Sequence, residues 1–268
     1  MSIETPIWDT PELEQFWPDG HVRIILDETD STMAEVRRRR PDLRGPTWIM
    51  ARRQTAATGR RGRAWVAPEG NFAATLFLPL QQEVPQQAAL RSFVASLALM
   101  RTLAMVVAPP RLTLKWPNDV LLDGGKVAGI LLESGGQTGH VDWLSIGIGV
   151  NLVTAPDASQ VEDGAFMPVA LMAPGGIQTS AEEILFWLAN HYAGYERLFR
   201  EFGFDPIRRL WLRHAARLGE TITARTMHES HSGVFETVDE EGQLLLQTAD
   251  GPRRIPAGDV FFGEPKCS

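Results

Sequence analysis

Gln54-Thr-Ala-Ala-Thr-Gly-Arg-Arg-Gly-Arg-Ala-Trp65, followed by Lys115-Trp-Pro-Asn-Asp119 and Lys126-Val-Ala-Gly-Ile130, are the stretches on which the reading of this chain turns. The first gathers three guanidinium groups, Arg60, Arg61 and Arg63, around Gly59 and Gly62. Glycine reaches backbone angles closed to other residues and exposes N–H groups to an approaching anion. Arginine adds charge-assisted, often bidentate hydrogen bonds to phosphate oxygens. The segment therefore reads as a nucleotide or phosphate site rather than an inert basic loop.

Outward from that loop, the chain reads as an α+β unit with a small β unit after it. Strands are expected at His21 to Leu26, Thr47 to Ala51, Asn71 to Leu80, Leu112 to Lys115 and Trp143 to Leu152. Val120 to Leu122 and Lys126 to Ser134 flank Asp123-Gly-Gly125 and read as a hairpin. Thr32 with Glu35, and Ser180 with Glu183, have capping-box spacing. The first predicts a helix running into Arg37–Arg40 and closed by Pro41; the second predicts one through Phe199. Ala88 to Val107 is an amphipathic helix ended by Pro109 and Pro110, and Pro206 to Arg217 is another. Thr154 to Gln178 is loop-rich, and Met1 to Asp19 reads as irregular surface chain. From Glu220 to Gly263, short strands alternate with Gly-containing turns, the pattern of a small barrel. The expected division is residues 1–218 and 219–268.

Composition narrows the function. The 268 residues are 44% hydrophobic and 22% charged, ordinary for a globular protein with a sizeable core. A net charge of -7 argues against a main task of holding nucleic acid. The single cysteine, Cys267, excludes an internal disulfide and fits a reducing cytoplasm. No apolar run approaches the roughly 20 residues that span a bilayer, and Met1-Ser-Ile-Glu-Thr-Pro6 has no secretory character. His21, His140, His191, His214, His228 and His231 show no metal-ligand spacing.

The motifs in order resemble biotin protein ligases. The likeness is carried by Asp30-Ser-Thr32, by Gln54 to Trp65 with Pro68 and Gly70-Asn71, by Lys115 to Asp119 with Lys126 to Ile130 and Glu133, and by Gly147-Ile-Gly-Val-Asn151. It covers the chain from about residue 20, including the small β unit, which looks like the family's SH3-like domain. The resemblance implies a mixed, mostly antiparallel sheet of the class II synthetase or biotin–lipoate ligase kind. Helices would lie on one side and ligand on the other. It implies two steps. Biotin and ATP, with Mg2+, give biotinyl-5′-adenylate and pyrophosphate, and a lysine of a biotin carboxyl carrier domain then takes the biotinyl group.

The resemblance also implies roles. Ser31, Thr32, Gln54, Ala57, Thr58, Trp65, Lys126 and Gly129 would bind biotin. Arg60, Arg61, Arg63, Trp65, Asn118, Gly149 and Asn151 would bind ATP. Lys126 would steer the biotin carboxylate and stabilise charge at the α-phosphate. Arg60 would retain the intermediate. Asp119 would position the attacking lysine, remove its proton or contact metal. Residue types agree: an amide such as Gln54 can both donate to and accept from a ureido ring, and Asn151 can read an adenine edge. Plainer readings stand beside these. Ser31 and Thr32 serve as a helix N-cap, Trp65 is a core residue, Asn118 and Asp119 form an Asx turn, and Lys115 binds phosphate or lies on the surface. Three positions depart from the family pattern: Met33 stands where Asn is usual, and Ala57-Thr58 where Gly-Arg is common.

Three rivals remain open in the sequence. Lipoate or octanoate ligases share the architecture, but their Arg-Arg-x-Ser-Gly-Gly-Gly block is absent here. A biotin-responsive repressor carries a DNA-binding segment for which roughly twenty N-terminal residues are too few. A biotin-binding protein without chemistry would not need Arg60, Arg63, Asp119 and Lys126. Exposed strand edges leave a homodimer open.

Overall fold

The computed structural model describes residues 16–63, 65, 68–137, 139–157, 166–172, 176–226 and 229–262. Cys267, His228, residues 1–15 and part of the loop after Thr154 lie outside the described residues. A seven-stranded sheet forms the body. Its strands are β1 (Val22–Thr29), β2 (Thr47–Gln54), β3 (Phe72–Glu83), β4 (Leu112–Lys115), β5 (Asp119–Leu122), β6 (Gly125–Gly135) and β7 (Val141–Val150), in the order β1-β2-β3-β7-β6-β5-β4. Only β1 and β2 pair in parallel, so the sheet is mixed and mostly antiparallel, as expected. The outer edge of β4 is covered by the chain after His214, where Leu114 exchanges backbone hydrogen bonds with His214 and Ala216.

Strand alternation gives the sheet two different faces. Trp48 and Met50 of β2, Phe72, Ala74, Leu76 and Leu78 of β3, and Leu144, Ile146, Ile148 and Val150 of β7 point to one side. There they bury against α3 (Arg91–Leu103), α4 (Ala181–Phe202) and α5 (Phe204–Arg213). The Ser180 capping box forms as read: Ser180 Oγ accepts from the Glu183 N–H and Glu183 Oε2 accepts from the Ser180 N–H. The helix expected over Ala88 to Val107 is instead a short α2 (Pro85–Ala89) followed by α3, which stops at Leu103, well short of the prolines.

Two expectations about α1 (Thr32–Arg39) are corrected. Its N-cap is Ser31 and no side-chain cap forms there. The Thr32 hydroxyl is taken by Gln54 and Thr75, and Glu35 pairs with Arg38 and Arg39. Charge pairing one turn away outweighs the reach back to a cap that other residues already occupy. Nor are all helices on one side. Val36 of α1 packs with Ile49 and Phe77 on the opposite face from α3 to α5. The crossover between parallel β1 and β2 must pass over one face, and it passes over the one carrying the glycines of β6 and β7.

The C-terminal β unit is a five-stranded antiparallel sheet. It comprises β8 (Thr221–Arg225), β9 (Ser230–Val238), β10 (Leu244–Thr248), β11 (Gly251–Ile255) and β12 (Asp259–Phe261), in the order β11-β10-β9-β8-β12. Its buried residues join the hydrophobic core of the body, and two of its polar contacts reach the segments that carry the site. Trp116 Nε1 donates to the Gly242 carbonyl at 3.0 Å, and Arg60 reaches Gly258 and Asp259. Among the described residues, no helix is long and apolar enough to cross a membrane.

Candidate active site

The face of the large sheet opposite α3 to α5 carries a cavity of about 550 Å³, a volume suited to a small cofactor-sized ligand. Its floor is glycine because a side chain has no room. A Cβ on Gly147 would lie 2.8 Å from Met33 Sδ, and one on Gly149 would lie 2.6 Å from Trp65 Cε2. Met33, one of the three residues departing from the family pattern, thus fills the space that Gly147 leaves. Trp65 stands over Gly149 and Gly129 as a cavity wall rather than a core residue.

One end is built by α1 and β2. Gln54 Oε1 accepts from the Thr32 N–H at 2.7 Å and from the Thr32 hydroxyl at 3.2 Å. Thr75 Oγ1 in turn donates to Thr32 Oγ1 at 2.8 Å. The expectation that the Gln54 amide presents both ends to a ligand is therefore corrected. Its oxygen does the capping that Ser31 does not, which leaves the NH2 as the group for a ligand. Ser31, Thr32 and Gln54 all line the cavity, as do Ala57 and Thr58.

At the centre, the hairpin strands β4 and β5 pair Lys115 with Asp119. Lys115 Nζ donates to Asp119 Oδ2 at 2.9 Å, and Lys126 Nζ lies 2.6 Å from Oδ1 in a contact poorly aligned for a hydrogen bond. Lys115 is buried, so its reading as a surface residue is corrected. Burial would raise the Asp119 carboxyl, but the two lysines outweigh it and hold it well below the usual carboxylate range. A carboxylate so held is a weak base, which goes against the proton-removing role. Both its oxygens face ammonium groups, which goes against metal contact. Lys126 is the exposed member of the trio, with 30% of its side chain accessible. Its backbone is fixed by bonds to Met167 and Val169.

The strand exit that carries Asn151 is held in place by Asn71. Asn71 Oδ1 accepts from the N–H groups of Leu152, Val153 and Thr154, at 3.0, 2.9 and 3.1 Å. This knot fixes the strand exit where Asn151 sits. Asn151 Oδ1 is buried in the cavity wall without a hydrogen-bond partner, a group that needs one. Asn118 is not an Asx turn. Its NH2 donates to the Ile130 carbonyl and its oxygen accepts from Arg60 at 3.3 Å, so it braces Arg60. The arginine loop closes the remaining side. Burial lowers the Arg60 pKa, partly offset by Asp259 and Asp119.

The structure thus brings every predicted site residue to one cavity. Sequence reading missed Phe166, Pro168, Arg225, Asp259 and Phe261, which also line it. They come from an irregular loop and from the C-terminal sheet, and no local pattern marks them. Glu133 and Asn71, although in the motif blocks, serve structure: Glu133 pairs with Arg37 on the surface and Asn71 ties the loop. Asp119 and Asp259 are the cavity's two carboxylates, and among the described residues no three acidic, histidine or cysteine side chains cluster as a metal site.

Comparison with known proteins agrees with this geometry. Residues 24–151 match the biotin/lipoate A/B protein ligase family, and residues 218–263 match the biotin protein ligase C terminal domain. The chain is 30% identical over 224 residues to the bifunctional ligase/repressor BirA of Bacillus subtilis, covering 81% of this chain and 66% of that protein. Its fold superposes on the biotin protein ligase of Aquifex aeolicus in complex with biotin and ATP, with a TM-score of 0.76 and 26% identity over 89% of this chain and 97% of that one. It is also 50% identical over 240 residues to the biotin–[acetyl-CoA-carboxylase] ligase of Paracoccus denitrificans, covering 89% of this chain and all of that protein. A chain that matches such a ligase along its whole length, and whose two sheets each match a part of the ligase architecture, belongs to the biotin protein ligase family.

Proposed function

We propose that this protein joins biotin to a lysine of a biotin carboxyl carrier domain in two ATP-dependent steps, in the cytoplasm. The observation that carries the reading is the Lys115–Asp119–Lys126 trio between the Gln54–Thr32 pair and the arginine loop. Residues 1–218 would bind biotin and ATP, and 219–268 would form the SH3-like part.

The ureido ring lies against Ser31, Thr32 and the Gln54 NH2, with Ala57 and Thr58 alongside. The apolar tail runs over Gly129 and Gly147 beside Trp65. This places the carboxylate at Lys126, which draws it into line with the α-phosphate and stabilises the negative charge as the bond to the β-phosphate breaks. Arg60, Arg61 and Arg63 take the phosphates, and Asn151 Oδ1 accepts from the adenine amine beside Gly149. Pyrophosphate leaves, and the loop keeps water from the mixed anhydride. The carrier amine then attacks the acyl carbon and AMP departs. Asp119 orients that amine by accepting a hydrogen bond on Oδ1, while its low basicity leaves the proton to solvent. Mg2+ would enter on the triphosphate and neutralise its charge. Asp119 stands between two lysines and would not take it up, so the phosphates and water would hold it.

The test is pyrophosphate release with Mg-ATP and either biotin, lipoate or octanoate, with mass detection of the acyl-adenylate. Biotin alone should support release. Release with lipoate or octanoate but not biotin would sink the proposal.

A further inference from the structure

The arginine loop does not stand alone over the cavity. Asp259, the first residue of β12, meets all three of its guanidinium groups. Arg60 Nη1 lies 3.1 Å from Oδ1, Arg61 Nη1 2.9 Å from Oδ2, and Arg63 Nη2 3.8 Å from Oδ2. Arg60 Nη2 also donates to the Gly258 carbonyl at 3.1 Å. The carboxylate comes from a strand paired along its length with β8, so its position is set by the C-terminal sheet and not by the loop.

The loop that reaches it is bent. Arg61 has φ 57, in the left-handed region that costs a non-glycine residue about 1 kcal/mol, and Gly62 follows with φ 73. An ion pair with Asp259 holds that conformation. Arg60 and Arg61 both hydrogen-bond or pair with this one carboxylate, which therefore occupies N–H donors that a polyanion would use and would lie beside the incoming negative charge.

We propose that Asp259 competes with the nucleotide's polyphosphate for the loop arginines. It acts as an anion built into the second sheet that must be displaced before the phosphates are gripped. This rests on the reading that the loop binds polyphosphate. The carboxylate keeps the arginines arranged between turnovers and weakens the hold on the departing pyrophosphate. It is a positioning residue acting through Arg60 and Arg61.

Asp259→Asn keeps the shape and removes the charge, and the full-length variant is the test. Two quantities are measured: KM for ATP in biotin-dependent pyrophosphate release, and Kd for inorganic pyrophosphate by calorimetry. Both should fall about two- to fivefold, the range of a partly exposed ion pair converted to affinity. Asp259→Glu, which restores the charge, should bring both back toward wild type. A structural lesion does not tighten binding, so the direction separates competition from damage. Unchanged or weakened binding of ATP and pyrophosphate in Asp259→Asn would overturn the proposal and leave Asp259 as a strut. Wild-type protein that binds pyrophosphate without biotin-dependent turnover would instead fault the ligase reading and leave this one standing.

Discussion

Replacing Gly149 by alanine adds a single methyl group at the centre of the sheet, and the structure says where the cost falls. That Cβ would lie 2.6, 2.7 and 2.8 Å from Trp65 Cε2, Nε1 and Cζ2. Ordinary carbon contacts begin near 3.5 Å, so the indole must retreat by about 1 Å. The backbone cannot yield instead, because Gly149 pairs with Ala73 of β3 on one side and Gly129 of β6 on the other. The ring can move only away from β7, into the cavity. Overpacking of this kind costs roughly 1–3 kcal/mol. Here the cost should appear as lost ligand space more than as lost stability, since the ring has open volume to move into. At 1.4 kcal/mol per tenfold, biotin affinity should drop roughly 5- to 100-fold while the melting temperature shifts little. Calorimetric titration of biotin and thermal denaturation of the same sample measure both. The double variant Gly149→Ala with Trp65→Phe replaces the fused bicycle that carries these three atoms by a single, smaller ring. It should recover affinity relative to the single Gly149 variant, giving a positive coupling in the cycle. Full biotin affinity in Gly149→Ala, or no coupling with Trp65→Phe, would refute the placement of Trp65 as the cavity wall.

Lys126→Ala should reduce single-turnover adenylation by roughly 10²–10³, comparable to removing one oxyanion donor; near-normal rates would end its assignment. Asn71→Leu strands the three N–H groups of residues 152–154 and should cost about 3 kcal/mol in urea denaturation. A loss below about 1 kcal/mol would show that water replaces the side chain. His191 is pushed down to about 4 from 6.5 by burial and by Arg101. Thr102 Oγ1 donates to the Ala98 carbonyl and so accepts from His191 Nδ1–H. Below pH 6.5 the unfolded chain takes up a proton that the folded one refuses. Stability should therefore fall between about pH 6.5 and 4 by up to about 3 kcal/mol, and stay flat above pH 7 as far as this group is concerned. His191→Gln should remove most of that slope if the tautomer and burial are as described.

Much of the fold was legible locally. The hairpin of β5 and β6 was visible in Asp123-Gly124, whose φ values of 49 and 82 are those of a two-residue turn that closes on a right-handed strand pair. The Ser180–Glu183 box announced α4 because both partners lie within one turn, and the added bond from the neighbouring Thr179 hydroxyl to Glu183 leaves the box intact. The Thr32–Glu35 box misled for the converse reason. Gln54, far along the chain, took the Thr32 hydroxyl, and a local pattern carries no information about a competitor brought in by β1–β2 pairing.

The same division runs through the site. The sequence by itself determined which chemistry is present: the arginines of the loop, the lysines and aspartate around Pro117, and the glycines that leave β6 and β7 bare. Those are choices of residue type, and each makes physical sense within a few neighbours. Tertiary structure alone decided what the groups do to one another. Lys115 and Lys126 become the two partners of Asp119 only because β4, β5 and β6 lie side by side, and that pairing turns a candidate base into a fixed anion. Asp259 becomes part of the arginine loop's environment only because the C-terminal sheet docks beside it, 199 residues from Arg60. Electrostatics and burial depend on distance in space, and distance along the chain does not report it.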